Sequence, residues 1–448
     1  MEYIIGILIL ISFVGLAVYA ARGGNLMMGM LVMAIIWTVL PMAGFKLVTN
    51  PDFIAANQDM VNMSWIDAFT KVFQEGPEGW GTVLVNVVFG AWFGRVLLTT
   101  GIASTLIRKT TELGGDKPAI TCILLCAVTT AIFSSLFGAG AVVAIGVIVL
   151  PIFMSLGIPK VLSVCSFMLS IGAGMFINPV LFGQYSAFFL DEAGKATYSY
   201  ETYVHWGSIA LAVQLAFTIV LILFTMRKKK TVHAWAAQRP VRAKRDTAPG
   251  LALLTPFIPV LLLIVFDIPI ILGFLIGGFY ALLVCGRLKD FRTACRTFNK
   301  DFFDGVVDTA PLVGFLLMVP MFNKAAELCI PYFNVLFNGI IPNNTLVISI
   351  AFMVLAPLGL FRGPFTLYGC GAATLGILKG IGFSTMYLAP LMIAATTVMN
   401  VSCCITQSWI VWGISYAKIS TKDFMKMSVV SGWIICIILQ AITYFMFG

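Results

Sequence analysis

Residues 118–157 read PAITCILLCAVTTAIFSSLFGAGAVVAIGVIVLPIFMSLG, forty positions without one charged side chain. A single membrane crossing needs only about 20 residues, so this run is too long for one helix. Its middle, Phe137-Gly138-Ala139-Gly140-Ala141, is where a helix would break. The apolar residues are continuous rather than alternating, which argues for helix and against barrel strands. Two apolar arms around a glycine-bearing turn read as a re-entrant hairpin, entering and leaving the bilayer on one side. The alternative is two ordinary spans joined by a tight turn.

Working outward, the whole chain has the composition of a multi-pass membrane protein. Of 448 residues, 60% are hydrophobic and 10% charged, and mean hydropathy is +0.99. A soluble domain carries about 25% charged residues. Further long apolar runs cover 4–19, 209–226, 268–285 and 424–447. The first begins at Tyr3 behind Glu2, with no basic leader and no small-residue cleavage site, so it is expected to be the first transmembrane helix. The cysteines, among them Cys122, Cys126, Cys165, Cys403 and Cys404, fall inside apolar runs, and His205 and His233 are the only histidines. No metal-ligand spacing results, and the cysteines read as small apolar filler. No metal and no cofactor beyond a coupling cation is expected.

The net charge of +9 is local. Arg227, Lys228, Lys229, Lys230, Arg239, Arg242, Lys244 and Arg245 share one hydrophilic segment. This is the signature of a cytoplasmic loop under the positive-inside rule, not of a nucleic-acid partner. A second basic loop holds Arg287, Lys289, Arg292, Arg296 and Lys300. The segment 50–81, with Asp52, Asp59, Asp67, Glu75 and Glu78, and the loop with Asp191, Glu192 and Glu201, are expected outside.

These anchors divide the chain into a first membrane repeat (1–226), a basic cytoplasmic linker (227–248) and a second repeat (249–448). Helices are expected over 26–48 and 82–108, with two more between the linker and the Arg287 loop, and a ninth starting near Asp304 and Asp308. A shift of 224 residues lays the break at Ser135–Gly140 on Gly359–Pro364, Asn178 on Ser402, and the sixth helix on the last. The first hairpin (118–157) and broken helix (161–190, interrupted at Gly172, Gly174 and Asn178-Pro179) thus correspond to a second hairpin (345–380) and broken helix (387–416). Lys109–Lys117 and Lys160 put the first hairpin on the cytoplasmic side, and the helix count puts the second, between Asn344 and Phe383, outside. The expected fold is an all-α integral membrane protein of about ten transmembrane helices plus two re-entrant hairpins, in two inverted-topology repeats.

Helices interrupted in the bilayer free backbone groups that persist only inside protein or beside a wet cavity. Half-helix N-termini then favour an anion, and half-helix carbonyls a cation. The residues at the breaks fit a substrate site: Ser134, Ser135, Gly138, Gly140, Asn178, Arg362, Gly363, Thr366, Asn400, Ser402, Thr406 and Gln407. For the glycines the competing reading is helix–helix packing. Arg362, a charge at the centre of the second hairpin, has the geometry to take a carboxylate bidentately; the competing role is a clamp on neighbouring carbonyls. Arg95, in Trp92-Phe93-Gly94-Arg95, reads as structural or interfacial. Asn178, Asp308, Asn400 and Ser402 are the candidates for holding the coupling ion. Carboxylates at depth are scarce, which favours Na⁺ on carbonyls and hydroxyls, while Asp308 is available as a proton carrier; H⁺ and Na⁺ both stay open.

Gly90-Ala91-Trp92-Phe93-Gly94-Arg95, followed by Thr100-Gly101-Ile102-Ala103, resembles the third helix of the ion transporter superfamily, which holds gluconate permeases, citrate–cation symporters and anaerobic dicarboxylate carriers. The stretch 133–159 is similar to their first hairpin. The stretch 358–375, with Arg362-Gly363-Pro364 and Leu367-Tyr368-Gly369, is similar to the second, above all in the citrate branch. Sodium-dependent dicarboxylate carriers have Ser-Asn-Thr at the hairpin tips. This chain has Ser134-Ser135-Leu136 and Arg362-Gly363-Pro364, so their sodium sites do not carry over. The resemblance implies an elevator or rocking symporter of the bacterial inner membrane, dimeric in many relatives, moving a hydroxycarboxylate or dicarboxylate such as citrate or gluconate with H⁺ or Na⁺. Rival readings are a cation/proton antiporter of the same superfamily and the membrane subunit of a binding-protein-dependent transporter. No nucleophile–base pair, ligand cluster or phosphate loop points to an enzyme, and no charged ring or filter repeat to a channel.

Overall fold

In lipid a backbone has only itself to bond to, and in the computed structural model the apolar runs are helices. The described residues are 1–22, 24–115, 117–190, 196–227, 247–337 and 341–448. Their only β feature is an isolated bridge between Leu190 and Ala196. The first half contains α1 (Glu2–Ala21), α2 (Leu26–Leu47), α3 (Gly81–Thr99), α4 (Ile102–Gly114), α5 (Pro118–Phe133), α6 (Ala139–Ser155), α7 (Lys160–Met175), α8 (Pro179–Ser186) and α9 (Tyr200–Arg227). The second contains α10 (Ile258–Phe266), α11 (Ile270–Val284), α12 (Phe291–Phe337), α13 (Thr345–Val354), α14 (Gly371–Ile381), α15 (Thr385–Ala395), α16 (Ser408–Ala417) and α17 (Thr421–Phe447).

Among the described residues seven helices are long and apolar enough to cross a membrane, or nine if each of two bent pairs is one span. One of those pairs is an arm of the second hairpin, so two of the ten expected spans are missing, and both lie after the linker. There α10, entered through a 3-10 turn over Gly250–Phe257, and α11 are too short to span. Pro256 and Pro259 lack the N–H that would continue an α-helix inward from either side.

Three other expectations change. The acid-bearing stretch 50–81 is a series of short helices rather than a loop. Asn50 accepts from the Asp52 amide and Ser64 from the Asp67 amide, and each acid lies in the first turn of its helix, where the dipole favours it. The Arg287 loop is short, because α12 starts at Phe291 behind an Asp290 cap that accepts from Thr293 N at 3.0 Å. Arg292, Arg296 and Lys300 are therefore helical, and Asp308 lies well inside α12. The third helix, expected over 82–108, breaks at Gly101, whose φ is +75°. Residues 228–246 of the linker, with Asp191 and Glu192, lie outside the described residues.

The core sits on the interrupted helices. Every residue from Leu162 to Met175 of α7 is buried. Of the apolar window Thr385–Ser402, 89% is buried, against 28% for Glu2–Tyr19 and 22% for Tyr200–Arg227. Those last two are the periphery, and α1 turns Tyr3, Ile4, Ile7, Leu8 and Ile11 outward, as a lipid-facing helix does.

One element order occurs twice. The hairpin α5–α6 is followed by α7 and α8, bent by 68°, and closed by α9. The pair formed by α13 and the 3-10 turn Ala356–Arg362, bent by 63°, returns through α14. It is followed by α15, a π turn over Thr396–Ser402 and α16, and closed by α17. Between the two hairpins lie three crossings (α7–α8, α9, α12) and the short pair α10–α11. An odd number of crossings sets the bases of the hairpins on opposite sides.

The break between α7 and α8 is bonded on both sides. Pro179 has no N–H to lose. Asn178 Oδ1 accepts from Val180 N at 2.9 Å and Leu181 N at 3.1 Å, while Nδ2 donates to Phe133 O and Leu136 O at the first hairpin's tip, both at 2.9 Å. The freed carbonyls of Met175 and Ile177 accept from Tyr203 OH (2.7 Å) and Tyr200 OH (2.9 Å). Asn178→Ala would orphan four buried groups at once. It should lower stability by about 2–4 kcal/mol, read as a falling melting temperature in detergent. An unchanged melting temperature would contradict the clamp.

Candidate functional site

The second hairpin's tip is built on strained backbone. Phe361 and Arg362 both have positive φ, 53° and 61°, which residues with a Cβ rarely adopt. Neighbours hold them there. Phe361 N donates to Cys404 Sγ at 3.0 Å, Cys370 N to Arg362 O at 2.9 Å, Leu367 N to Thr396 Oγ1 at 3.0 Å, and Thr366 Oγ1 to Gly359 O. Thr366 is thus part of the tip's frame. Gly363 lies so close to Leu358 O that no side chain would fit. Cys404, expected as filler, is an acceptor, and it also pairs with the Thr406 hydroxyl at 3.1 Å.

The frame aims the Arg362 guanidinium at two acceptors, Tyr368 O and Gln407 Oε1, each at 3.4 Å, with its carbon 5.1 Å from the centre of the Phe315 ring. The contact with Gln407 fixes the neighbouring amides. Arginine only donates, so Gln407 presents oxygen to it and turns Nε2 to Asn400 Oδ1, at 2.5 Å. Asn400 Nδ2 must then point away. It is buried and has no partner among the described residues, as are Arg362 Nε and Gln184 Nε2. Gln184 joins the same network, its Oε1 accepting from Tyr368 OH at 2.9 Å. Three orphaned groups in one buried network are all N–H donors.

The first tip is chemically different. Ser134 and Ser135 hydroxyls donate back to Ala131 O and Ile132 O of α5. Gly138 turns the chain at φ +105°, and Asn178 is committed to the clamp. The charge arrives from outside the hairpin. Asp308 of α12 pairs with Arg95 of α3, with Nη2–Oδ1 and Nε–Oδ2 both 2.6 Å apart. The carboxylate lies flat on the first turn of α6, where a Cβ on Gly140 would come within 2.7 Å of Oδ2. These side chains are about a quarter exposed. They line a cavity of about 10 Å³ with Phe137, Ala141 and Thr309, room for one water-sized group.

The two tips are tied together. At Gly172 the helices α7 and the π turn come so close that a Cβ would meet Ser402 Oγ at 1.9 Å. Gln214 Nε2 bridges the crossing, donating to Leu169 O and Ser402 Oγ at 2.7 and 3.2 Å. Asp308 and Phe315 lie two helical turns apart on α12, roughly 10 Å, so one stripe of α12 meets both tips.

Of the residues named from sequence, Arg362, Gly363, Thr366, Asn400, Thr406 and Gln407 meet at one tip. Ser134, Ser135, Gly138, Gly140 and Asp308 meet at the other, and Ser402 stands at the crossing. Sequence reasoning missed the Arg95–Asp308 pair and the Tyr368–Gln184 link. The first had a signal: Arg95 is a lone charge in the apolar stretch around it, and Asp308 is the last of a short run of acids entering an apolar stretch, so the two signs are opposite. Among the described residues no three His, Cys, Asp or Glu side chains are grouped to hold a metal ion.

The crystal structure of the Alcanivorax borkumensis YdaH transporter, described as having an unusual topology, matches this arrangement at a TM-score of 0.64. The match covers 93% of this chain and 98% of that one, at 12% sequence identity. The chain has the fold of a membrane transporter. No family model and no curated protein matches it, so the likeness is one of fold.

The ion pair gives a direct check on the geometry of the first tip. Arg95→Gln or Asp308→Asn alone leaves one charge unpaired at depth and should cost about 1–3 kcal/mol. The double variant should recover part of that loss. Additive melting-temperature losses would show that the two side chains do not interact.

Proposed function

We propose that this protein is a secondary active transporter that moves a small organic anion across the membrane together with a cation, H⁺ or Na⁺. One observation carries the proposal: the three orphaned donors Arg362 Nε, Asn400 Nδ2 and Gln184 Nε2 in one buried network at the second hairpin. A buried donor without a partner costs about 1–3 kcal/mol, so such a cluster is tolerable where an acceptor is to be received. Guanidinium and amide N–H groups repel a metal cation and match a carboxylate. A hydroxycarboxylate or dicarboxylate of the citrate or gluconate type suits the mixture of one guanidinium and several neutral donors.

Alternating access would follow from the pairing of halves. With the hairpin bases on opposite sides, an anion received at the Arg362 tip would leave past the Gly140 tip. The coupling cation offsets the charge of the cargo, and the loaded carrier crosses more readily than the half-loaded one. The salt bridge at Asp308 weighs against the antiporter reading, because a carboxylate that exchanges cations directly works best without a resident guanidinium. A bacterial inner membrane, with the basic linker in the cytoplasm, is the setting that the charge distribution fits.

The test is a thermal-shift screen of the purified protein against citrate, gluconate, succinate and malate, with and without Na⁺, at two pH values. Binding should raise the melting temperature by mass action. Arg362→Ala should weaken the effective anion by about 10- to 100-fold, the worth of a charge-assisted hydrogen bond. A full shift in that variant would remove Arg362 from the site, and no shift with any anion would sink the reading.

A further inference from the structure

The first tip already holds a carboxylate. Asp308 lies against Gly140, in the first turn of the seventeen-residue helix α6, and faces the guanidinium of Arg95 at 2.6 Å. A substrate carboxylate arriving at this tip would seek the same two partners, the half-helix N-terminus and Arg95. We propose that Asp308 is a built-in competitor for the cargo's carboxylate, and that its displacement takes up the proton that couples transport. The proposal rests on the anion-transport reading above and deepens it by naming the coupling ion and the residue that carries it.

Charge decides what happens on displacement. Two carboxylates contending for one guanidinium cannot both remain ionised at close range, so one of them binds a proton. Among the described residues no second cation is paired with Asp308: of the other charged groups on elements packed against α12, Lys71 and Lys379 lie near Glu327, Glu2 lies near Tyr332, and Glu75 and Glu78 are acids. On α3 the only charged residue is Arg95, on α6 there is none, and on α2, packed along α12, only Lys46, near the far end. On α12 itself Asp304 and Asp301 precede Asp308 by one and two turns. Asp301 is held by the Thr99 hydroxyl at 3.0 Å, and Lys300 stands beside it. A sodium ion has fewer openings at this tip. The carbonyls of Phe133 and Leu136 are bonded to Asn178, and those of Ala131 and Ile132 to the serines.

The cycle then balances. With the tip empty, Asp308 is ionised and paired with Arg95. When the anion binds, Asp308 takes one proton from the water that reaches its partly exposed carboxyl, and leaves Arg95 to the cargo. On release to the other side the proton departs and the pair re-forms. The net charge of the tip is the same in both states, apart from the cargo's remaining carboxylates. Binding should therefore weaken as pH rises, by up to about tenfold per unit where proton uptake is complete.

Proton uptake is measured with a pH-indicator dye in weakly buffered solution at neutral pH. Gluconate and succinate are the probes, since both are fully ionised there. Wild-type protein should take up about one proton per anion bound. Asp308→Asn should bind the same anion without proton uptake and with an affinity changing less than twofold per pH unit. Asp301→Asn should keep the uptake. Gly140→Ala, whose methyl would fill the seat on the first turn of α6 that Asp308 and the cargo's carboxylate share, should weaken anion binding without altering any charge. Binding by the wild type without proton uptake, or undiminished uptake in Asp308→Asn, would overturn the proposal while leaving anion transport standing. If neither probe nor citrate shifts the wild-type melting temperature, the transport reading fails, and this inference with it.

Discussion

A helix that stops inside a bilayer leaves backbone groups that water cannot reach, and everything in this protein's centre follows from meeting that demand. At the α7–α8 break the demand is met by side chains. One asparagine caps the new helix and clamps the neighbouring hairpin, and two tyrosines take the freed carbonyls. The result is a rigid seat, with α7 buried along its length. At the second break the demand is met differently, by Trp409 Nε1 on Val401 O and Ser402 Oγ on Thr397 O, within a π turn that keeps the chain helical to Ser402. What is left over there includes side-chain donors.

That difference separates the two halves chemically although their element order repeats. The first tip is self-satisfied and neutral, and receives an anionic group from α12. The second carries its own cation, on backbone strained into the left-handed region, and ends in donors without acceptors. A charge-bearing strained turn held by a cysteine sulfur acceptor would be a poor choice for stability alone. Its geometry makes sense where a bound group completes the network. Because the halves meet at Gly172 and Ser402, a change of occupancy at one tip bears directly on the helix that supports the other.

Much of this was legible in the sequence for a physical reason. Forty uncharged residues with glycines in the middle admit few structures, and Asn178-Pro179 in an apolar run announces a capped half-helix. Arg362 stood out because a charge within such a run needs a purpose. What was not legible depends on contacts between distant residues. Asp308 and Arg95 are 213 positions apart, and nothing local says that they meet over Gly140. The role of Asn178 also hid behind its type: an amide at a break serves equally as ligand or as clamp, and only its four partners decide. The acidic stretch 50–81 looked like a loop because charge was weighed more heavily than position. Asp52, Asp59, Asp67 and Glu78 each sit where a helix N-terminus wants an acid.

The claim that two hairpins enter the bilayer from opposite sides is tested most directly by thiol labelling. Single cysteines would be placed at Lys117, Lys160, Asn343 and Ser384, all exposed and flanking the hairpins, in a chain with Cys285 and Cys295 replaced by serine. A membrane-impermeant maleimide is then applied to oriented vesicles. The account predicts that 117 and 160 label from one side, and 343 and 384 from the other. Labelling of 117 and 160 from different sides, or of all four from the same side, would contradict it.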